Sequence, residues 1–340
     1  MTHYKLILIG FGNVGRALAR LLLQKMDELE RAGITFSVVG IATGSHGNAL
    51  APQGLDLLEV LTRFESGATL DGLSEGAAPP DARALIRRSE ADVVFENTPV
   101  NYATGQPAID HLQLALDLGM HAITANKGPV VHAYDSLHRN AGERGRKFLF
   151  ESAVMDGAPV FSLFREALPA AELRAFRGIL NSTTNLVLSR MESGESFDEA
   201  VKFAQSVGIA ETDPSGDVDG WDAAIKVAAL STVLMGVPVR PDDVDRRGIR
   251  DITPEDIDRA LEQGKRWKLV CKAQRTKAGV EAGVAPEMVP PESPLFGVDG
   301  TTSIVQFETD VLGRLTLIEE DPGPHTTAYG LLADFLNAIK

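Results

Sequence analysis

The segment Gly10-Phe11-Gly12-Asn13-Val14-Gly15 limits the fold of this chain more than any other. Three glycines at this spacing are weak evidence alone. They gain weight between a first strand and a first helix, the context that a dinucleotide-binding turn requires. Tyr4–Ile9 is an apolar run rich in Leu and Ile and reads as a buried strand. A helical pattern runs from about Val14 to Arg31. Gly10 permits the tight turn, Gly12 lets the backbone approach a pyrophosphate at the helix N-terminus, and Gly15 lets helix and strand pack closely. Asn13 and Val14 complete the candidate phosphate-facing turn.

The pattern continues as alternating strands and helices. Phe36–Ala42 is the second strand, and an acid at its end would hold the ribose 2′-hydroxyl of NAD. No Asp or Glu occurs from Arg31 through Leu55, and no Lys or Arg from Ala32 through Thr62. Thr43, Ser45 and His46 are the only polar candidates there, so NAD and NADP both stay open, with a tilt to NADP. Asp92–Glu96 is a strand ending at Asn97-Thr98-Pro99, and Pro107–Leu118 an amphipathic helix. His121–Thr124 is a strand followed by the loop Ala125–Pro129, which carries Lys127. Ligands of open α/β sheets bind at the C-terminal strand ends, which makes Thr98, Pro99 and Lys127 crevice candidates. The competing reading of Lys127 is a solvated surface lysine, the commoner fate of the residue. A helix at Tyr134–Arg144 and a strand at Lys147–Phe150 close the set. The expected fold class is α/β: a Rossmann-like, doubly wound parallel sheet over residues 1–150.

Beyond residue 150 the character changes. Helices are expected at about Val160–Ala167, from the capping run Asn181-Ser-Thr-Thr184 to about Ser193, at Phe197–Ser206 and at Pro254–Gln263. Leu173–Leu180, Trp267–Ala273, Val280–Val284, Ser303–Thr309 and Arg314–Ile318 read as strands of a mainly antiparallel second sheet. Residues 151–319 are thus expected to form a second, α+β domain. The last helix, about Thr326–Ala338 within a 320–340 segment, is expected to pack back on the first domain.

The stretch Ala204–Lys226 reads AQSVGIAETDPSGDVDGWDAAIK. From Trp221 to Val239 the only charged residues are Asp222 and Lys226, four apart on one face of a helix that is otherwise apolar. A buried charge is costly unless paired, so the pair is either a structural salt bridge or part of a site. Glu211, Asp213 and Asp217 lie just upstream in a Gly/Pro/Asp-rich turn that delivers carboxylates to the same helix mouth. Carboxylates beside a desolvated lysine suit a charged, polar small molecule. A net charge of −14 argues against nucleic acid and anionic membranes as partners. One cysteine, Cys271, excludes an internal disulfide and a Cys/His zinc cluster, and fits a reducing, cytoplasmic setting. The N-terminus has no signal-peptide pattern, and no apolar run approaches the ~20 residues of a membrane span.

The run Ala204-x-x-x-Gly208-Ile209-Ala210-x-x-Asp213-Pro214-x-x-Asp217-Val218-x-Gly220-x-Asp222-x-x-x-Lys226 resembles the signature of homoserine dehydrogenases at every specified position. The resemblance extends over nearly the whole chain, through the Gly turn, Thr124-Ala-Asn-Lys127, Glu151 and Asn181-Ser-Thr-Thr-Asn185. It implies NAD(P)-dependent interconversion of L-homoserine and L-aspartate 4-semialdehyde in threonine and methionine biosynthesis. It further implies that Glu211 binds the substrate amino group and Asp217 is a second substrate contact. Lys127 and Lys226 would stand at the reacting oxygen, Lys226 as acid/base, with Asp222 beside them. Glu151, with backbone groups near Val154, Asp156 and Ala158, matches a loop that binds a monovalent cation (Na or K) in some members. The resemblance makes 151–319 the catalytic and dimerisation domain, with a homodimer through the second sheet as the implied assembly.

Two segments depart from the family pattern. Met155-Asp156-Gly157 replaces a glycine-rich run, and Asp321-Pro-Gly323-Pro-His325 stands where many members have a Gly-Ala-Gly turn before Thr-Ala. The chemistry agrees with the resemblance: burial lowers a lysine pKa toward neutrality, which suits a base for alcohol oxidation. Two other readings compete. One is a related oxidoreductase on another amino-acid alcohol or aldehyde; the other is a dinucleotide-sensing protein without turnover. The chain stops at Lys340 soon after its last helix, so no threonine-responsive C-terminal domain is expected.

Overall fold

In the computed structural model, which describes all 340 residues, β1 (Thr2–Ile9) lies inside a six-stranded sheet. The strands are ordered β3-β2-β1-β4-β5-β6. They are β2 (Ile34–Ala42), β3 (Asn48–Leu50), β4 (Val93–Glu96), β5 (His121–Thr124) and β6 (Phe148–Leu149). All neighbours run parallel except the edge strand β3, which is antiparallel to β2. The order reverses at β1, with β2 on one side and β4 on the other, so the C-terminal ends of β1 and β4 frame a crevice. Strands buried on both faces need near-continuous apolar sequence, and Leu6, Ile7, Leu8, Val93, Val94 and Phe95 are all fully buried.

The helices joining these strands are α1 (Asn13–Gln24), α2 (Met26–Arg31), α3 (Leu57–Glu65), α4 (Ala82–Arg88), α5 (Ala108–Asp117), α6 (Lys127–His132) and α7 (Tyr134–Glu143). The single helix expected from Val14 to Arg31 is two, because the chain leaves the helical ladder at Lys25 (φ −97°, ψ 5°). α3, α4 and β3 are not among the expected elements. Both helices carry a legible start: Asp56 accepts from Leu58 N and Glu59 N, and Asp81 accepts from Ala84 N.

One compact unit comprises Met1–Pro159 together with Gly323–Lys340. Segment 151–159, grouped with the second domain on sequence, belongs here. Glu151 N donates to Asp334 at 2.7 Å, Ser152 Oγ to the Thr327 carbonyl at 2.7 Å, and Thr327 Oγ1 to Asp156 at 3.0 Å. Their partners all lie on the last helix, which packs against α1. Its Phe335 meets Tyr4 edge-on at 5.7 Å and Phe95 at 6.3 Å.

The second unit is Val160–Pro322. After α8 (Val160–Ser162) and a π-helical turn to Ala167 come β7 (Leu173–Ile179), α9 (Ser182–Met191) and α10 (Phe197–Ser206). They are followed by α11 (Ser215–Val218), α12 (Trp221–Leu234), β8 (Asp245–Arg246) and α13 (Pro254–Glu262). β9 (Arg266–Thr276), β10 (Gly279–Val289), β11 (Ser303–Thr309) and β12 (Gly313–Glu319) complete it, and α14 (Pro324–Ala338) is the last helix. The sheet order is β12-β11-β7-β9-β10-β8, antiparallel except for the two-residue β10–β8 pairing. α12 starts behind Gly220 (φ +81°) and ends at Leu234, short of the apolar run, because Gly236 (φ +65°) and Pro238 cannot continue it.

Candidate active site

In the first unit, the Gly turn closes against the end of β4. Gly10 has φ +92°, and a Cβ there would lie 2.5 Å from the Asn97 carbonyl oxygen. A Cβ on Gly15 would lie 2.5 Å from the Gly10 carbonyl oxygen. Gly12 differs: its φ is an ordinary −74°, and nothing lies within 4 Å of a Cβ built on it. Gly12 is also the N-cap of α1, and no side chain caps that helix end, which carries no acid in its first turn. The amides of Asn13, Val14 and Gly15 therefore begin a helix whose dipole favours an anion, and the residues fit a dinucleotide pyrophosphate. Asn13 Oδ1 accepts from Arg16 at 2.7 Å, which adds a guanidinium beside the turn.

The loop after β2 is closed on itself. Thr43 Oγ1 donates to the Gly47 carbonyl at 2.8 Å and accepts from His46 N at 2.8 Å. Ser45 Oγ lies 2.8 Å from His46 Nδ1, and the His46 ring sits 4.2 Å from Phe64. On the other side of the crevice, Thr98 Oγ1 donates to the buried Glu96. Asn126 joins the two neighbouring loops: its Nδ2 donates to the carbonyls of Thr98 (3.0 Å) and Pro99 (3.4 Å), and its Oδ1 accepts from Gly128 N (2.9 Å). Asn126 is the N-cap of α6, so Lys127 is the first residue of a helix and not part of a loop. Lys127 is also partly buried rather than a solvated surface lysine.

In the second unit, three sequence candidates meet. Lys226 Nζ is 3.1 Å from Asp222 and also donates to the Leu180 carbonyl, with both side chains largely buried. Asn181 Nδ2 donates to Asp217 at 2.7 Å and to Asp222 at 3.0 Å. Burial and the neighbouring Asp222 charge hold the Asp217 carboxyl above its ordinary range, against hydrogen bonds from Asn181 and Thr183 and the charge of Lys226. The arrangement is a compensated ammonium on an apolar helix with two carboxylates beside it. Glu211 stays outside this cluster on an exposed turn, where Gln205 Nε2 donates to the carbonyls of Glu211 (3.1 Å) and Thr212 (3.0 Å).

Two residues of the second unit are not site candidates on sequence. Asn181 reads there only as a helix cap, although its place in the run to Asn185 marks it. Lys268 lies on β9 with no exposure at all, and donates to Asn185 at 3.1 Å and to the Val298 carbonyl. Burial pushes its pKa down to about 8. No sequence signal separates it from the other lysines.

Segment 151–158 is engaged with α14. The carboxylate of Asp156 accepts from the Thr327 hydroxyl, and its carbonyl oxygen faces Gly330. No group of three or more His, Cys, Asp or Glu side chains is placed to hold a metal.

Comparison with known proteins agrees with both halves. Residues 10–151 match the family model "Homoserine dehydrogenase, NAD binding domain", and residues 159–336 match "Homoserine dehydrogenase". The chain belongs to the homoserine dehydrogenase family. It is 35% identical to the NAD(+)-dependent homoserine dehydrogenase of Pseudomonas canavaninivorans, over 99% of this chain and 96% of that protein. The crystal structure of a putative homoserine dehydrogenase from Archaeoglobus fulgidus superposes with a TM-score of 0.86 at 31% identity, covering 98% of each chain. A hyperthermophilic archaeal homoserine dehydrogenase in complex with NADPH gives 0.84 at 27% identity, covering 99% of this chain and 98% of that one. As a member of the homoserine dehydrogenase family the protein is an NAD(P)-dependent oxidoreductase with a Rossmann-type domain. No helix is long and apolar enough to cross a membrane.

Proposed function

We propose that the protein interconverts L-homoserine and L-aspartate 4-semialdehyde, a step of threonine and methionine biosynthesis, with Lys226 as the acid/base. The Lys226 ammonium, held between Asp222 and the Leu180 carbonyl on an otherwise apolar helix, carries this reading. Oxidising a primary alcohol removes a hydride from carbon and a proton from oxygen. NAD(P), held at the Gly10–Gly15 turn and the N-terminus of α1, would supply the hydride acceptor. Lys226 as the amine takes the hydroxyl proton, and the ammonium formed finds Asp222 and the Leu180 carbonyl already placed to accept from it. In the reverse direction that ammonium donates to the developing alkoxide. Lys127, fixed at the start of α6 by Asn126, is proposed as the second lysine at the reacting oxygen. Glu211 and Asp217 are proposed to receive the substrate ammonium. Their carboxylates are the complement that a zwitterionic substrate requires; Asp217 is a specified position of the family signature, and Glu211 lies within it, between Ala210 and Asp213.

The deciding assay follows NADPH and NADH oxidation with aspartate semialdehyde beside a panel of related aldehydes. A higher kcat/KM for another aldehyde would replace the substrate and keep the reaction class.

The same reading includes a homodimer and a cation. The sheet face around Arg177, Lys272, Glu287, Glu308 and Arg314 lines an open groove of about 980 Å³, and Val311, Leu312 and Ile318 are exposed at the β11–β12 hairpin. A second copy would cover this face, and a monomer by light scattering at micromolar concentration would remove the assembly. A Na or K ion at Glu151 with carbonyls of Val154, Asp156 and Ala158 is tested by titrating KCl and NaCl at constant ionic strength. Equal thermal stability in both and in a tetraalkylammonium salt would exclude it.

A further inference from the structure

Asn181 uses every hydrogen-bonding position of its side-chain amide. Oδ1 accepts from Thr184 N at 2.8 Å and from the Thr184 hydroxyl at 2.9 Å, which caps α9. Nδ2 donates one hydrogen to Asp217 at 2.7 Å and the other to Asp222 at 3.0 Å. The amide has only one workable orientation, because a flip would set N–H against the Thr184 N–H and oxygen against two carboxylates. The residue is 4% exposed, so bulk solvent does not compete for these bonds. The Lys226 ammonium lies 3.1 Å from Asp222 and its charge also favours ionised Asp217, whereas the two close carboxylates repel each other. Asp222 accepts from both Asn181 and Lys226, so a displaced Asp222 would take the Lys226 ammonium with it.

We propose that Asn181 is a positioning residue whose amide clamps Asp217 and Asp222 together and, through Asp222, aims the Lys226 side chain. The inference rests on the proposed function insofar as Lys226 is the acid/base. The clamp itself is independent of the substrate. The cap ties it to α9, so the carboxylates of α11 and α12 are referenced to a third element. Cys271 on β9 also lies near Asp222 and Lys226, and Asp219 on the far side of α11 is paired with Arg250. Neither supplies a cation to the clamp.

The test uses Asn181→Ser, which keeps a capping oxygen and loses the amide donors. Asn181→Asp keeps the shape and cap but sets a third carboxylate in place of a donor. The sign of the effect follows from Asp217. Its folded-state carboxyl already titrates above the unfolded value, so its ionisation costs stability as pH rises through that window. Loss of a donor to the ionised form raises it further. The serine variant is therefore expected to lose about tenfold more of its folding equilibrium constant at about pH 8 than at about pH 5. The aspartate variant should lose more than the serine variant. In kcat/KM against pH, the acid limb should move upward, with a loss of roughly 10²-fold near neutrality from misplacement.

An equal stability loss at both pH values, with a pH profile superimposable on the parent, would reduce Asn181 to a helix cap and overturn the clamp. If the parent protein turned over no amino-acid aldehyde, the function reading would fall, while the stability arm would still judge the clamp.

Discussion

Gly10 and Gly12 belong to one motif, but the structure separates them. Alanine at Gly10 meets two penalties. Its φ of +92° is a conformation L side chains avoid, and its Cβ would stand 2.5 Å from a backbone oxygen of Asn97 that cannot rotate away. The first costs about 1–2 kcal/mol and the second, as overpacking, about 1–3 kcal/mol. A total of ~2–5 kcal/mol is a large share of a typical stability of roughly 5–15 kcal/mol. Alanine at Gly12 meets neither, because φ is −74° and the space is open. It should fold like the parent, within about 0.5 kcal/mol, yet place a methyl where the pyrophosphate must approach the backbone. The assays are thermal unfolding without cofactor and NADPH fluorescence titration. Gly10→Ala should lower Tm by many degrees. Gly12→Ala should leave Tm unchanged and weaken NADPH binding by about tenfold or more, ~1.4 kcal/mol. Equal destabilisation by both, or unaltered NADPH affinity in Gly12→Ala, would refute this division of roles.

Three further outcomes are expected. Lys226→Ala should lose ~10²–10⁴-fold in kcat while NADPH titrates as in the parent, and rates within about threefold at saturating substrate would remove Lys226 from the chemistry. Glu211→Gln should raise the homoserine KM more than the cofactor KM, since charge-assisted hydrogen bonds are about twice as strong as neutral ones; an unchanged homoserine KM contradicts that role. Both cofactors should serve, with at most a modest NADPH preference, because Thr43–His46 offers neither acid nor Lys or Arg. A roughly hundredfold NADH preference in kcat/KM would mean that the ribose 2′-hydroxyl has a partner elsewhere.

Local sequence carried what depends on local physics. Short apolar runs placed the parallel strands, since a strand buried on both faces can hold little else. The Gly turn, the Ser196–Glu199 and Thr253–Asp256 capping boxes and the apolar face of α12 are likewise written within a few residues of each other. Asp222 and Lys226 are legible as a pair because helical spacing alone brings them together.

Contacts across long separations were decided by the tertiary structure. Asn181 reaches Asp217 and Asp222, 36 and 41 residues away, only because β7 delivers α9 to the mouth of α12. α14 holds segment 151–159 in the first unit through bonds between residues 183 and 175 positions apart, which no composition change could reveal. Lys268 is indistinguishable by sequence from its exposed neighbour Lys272. Both point to the same face of β9, and one is buried and the other is not because Asn185 and the Val298–Thr302 loop cover only the start of that face. The period of a segment is set by its own residues, whereas a side chain's partners are set by which segments the core brings together.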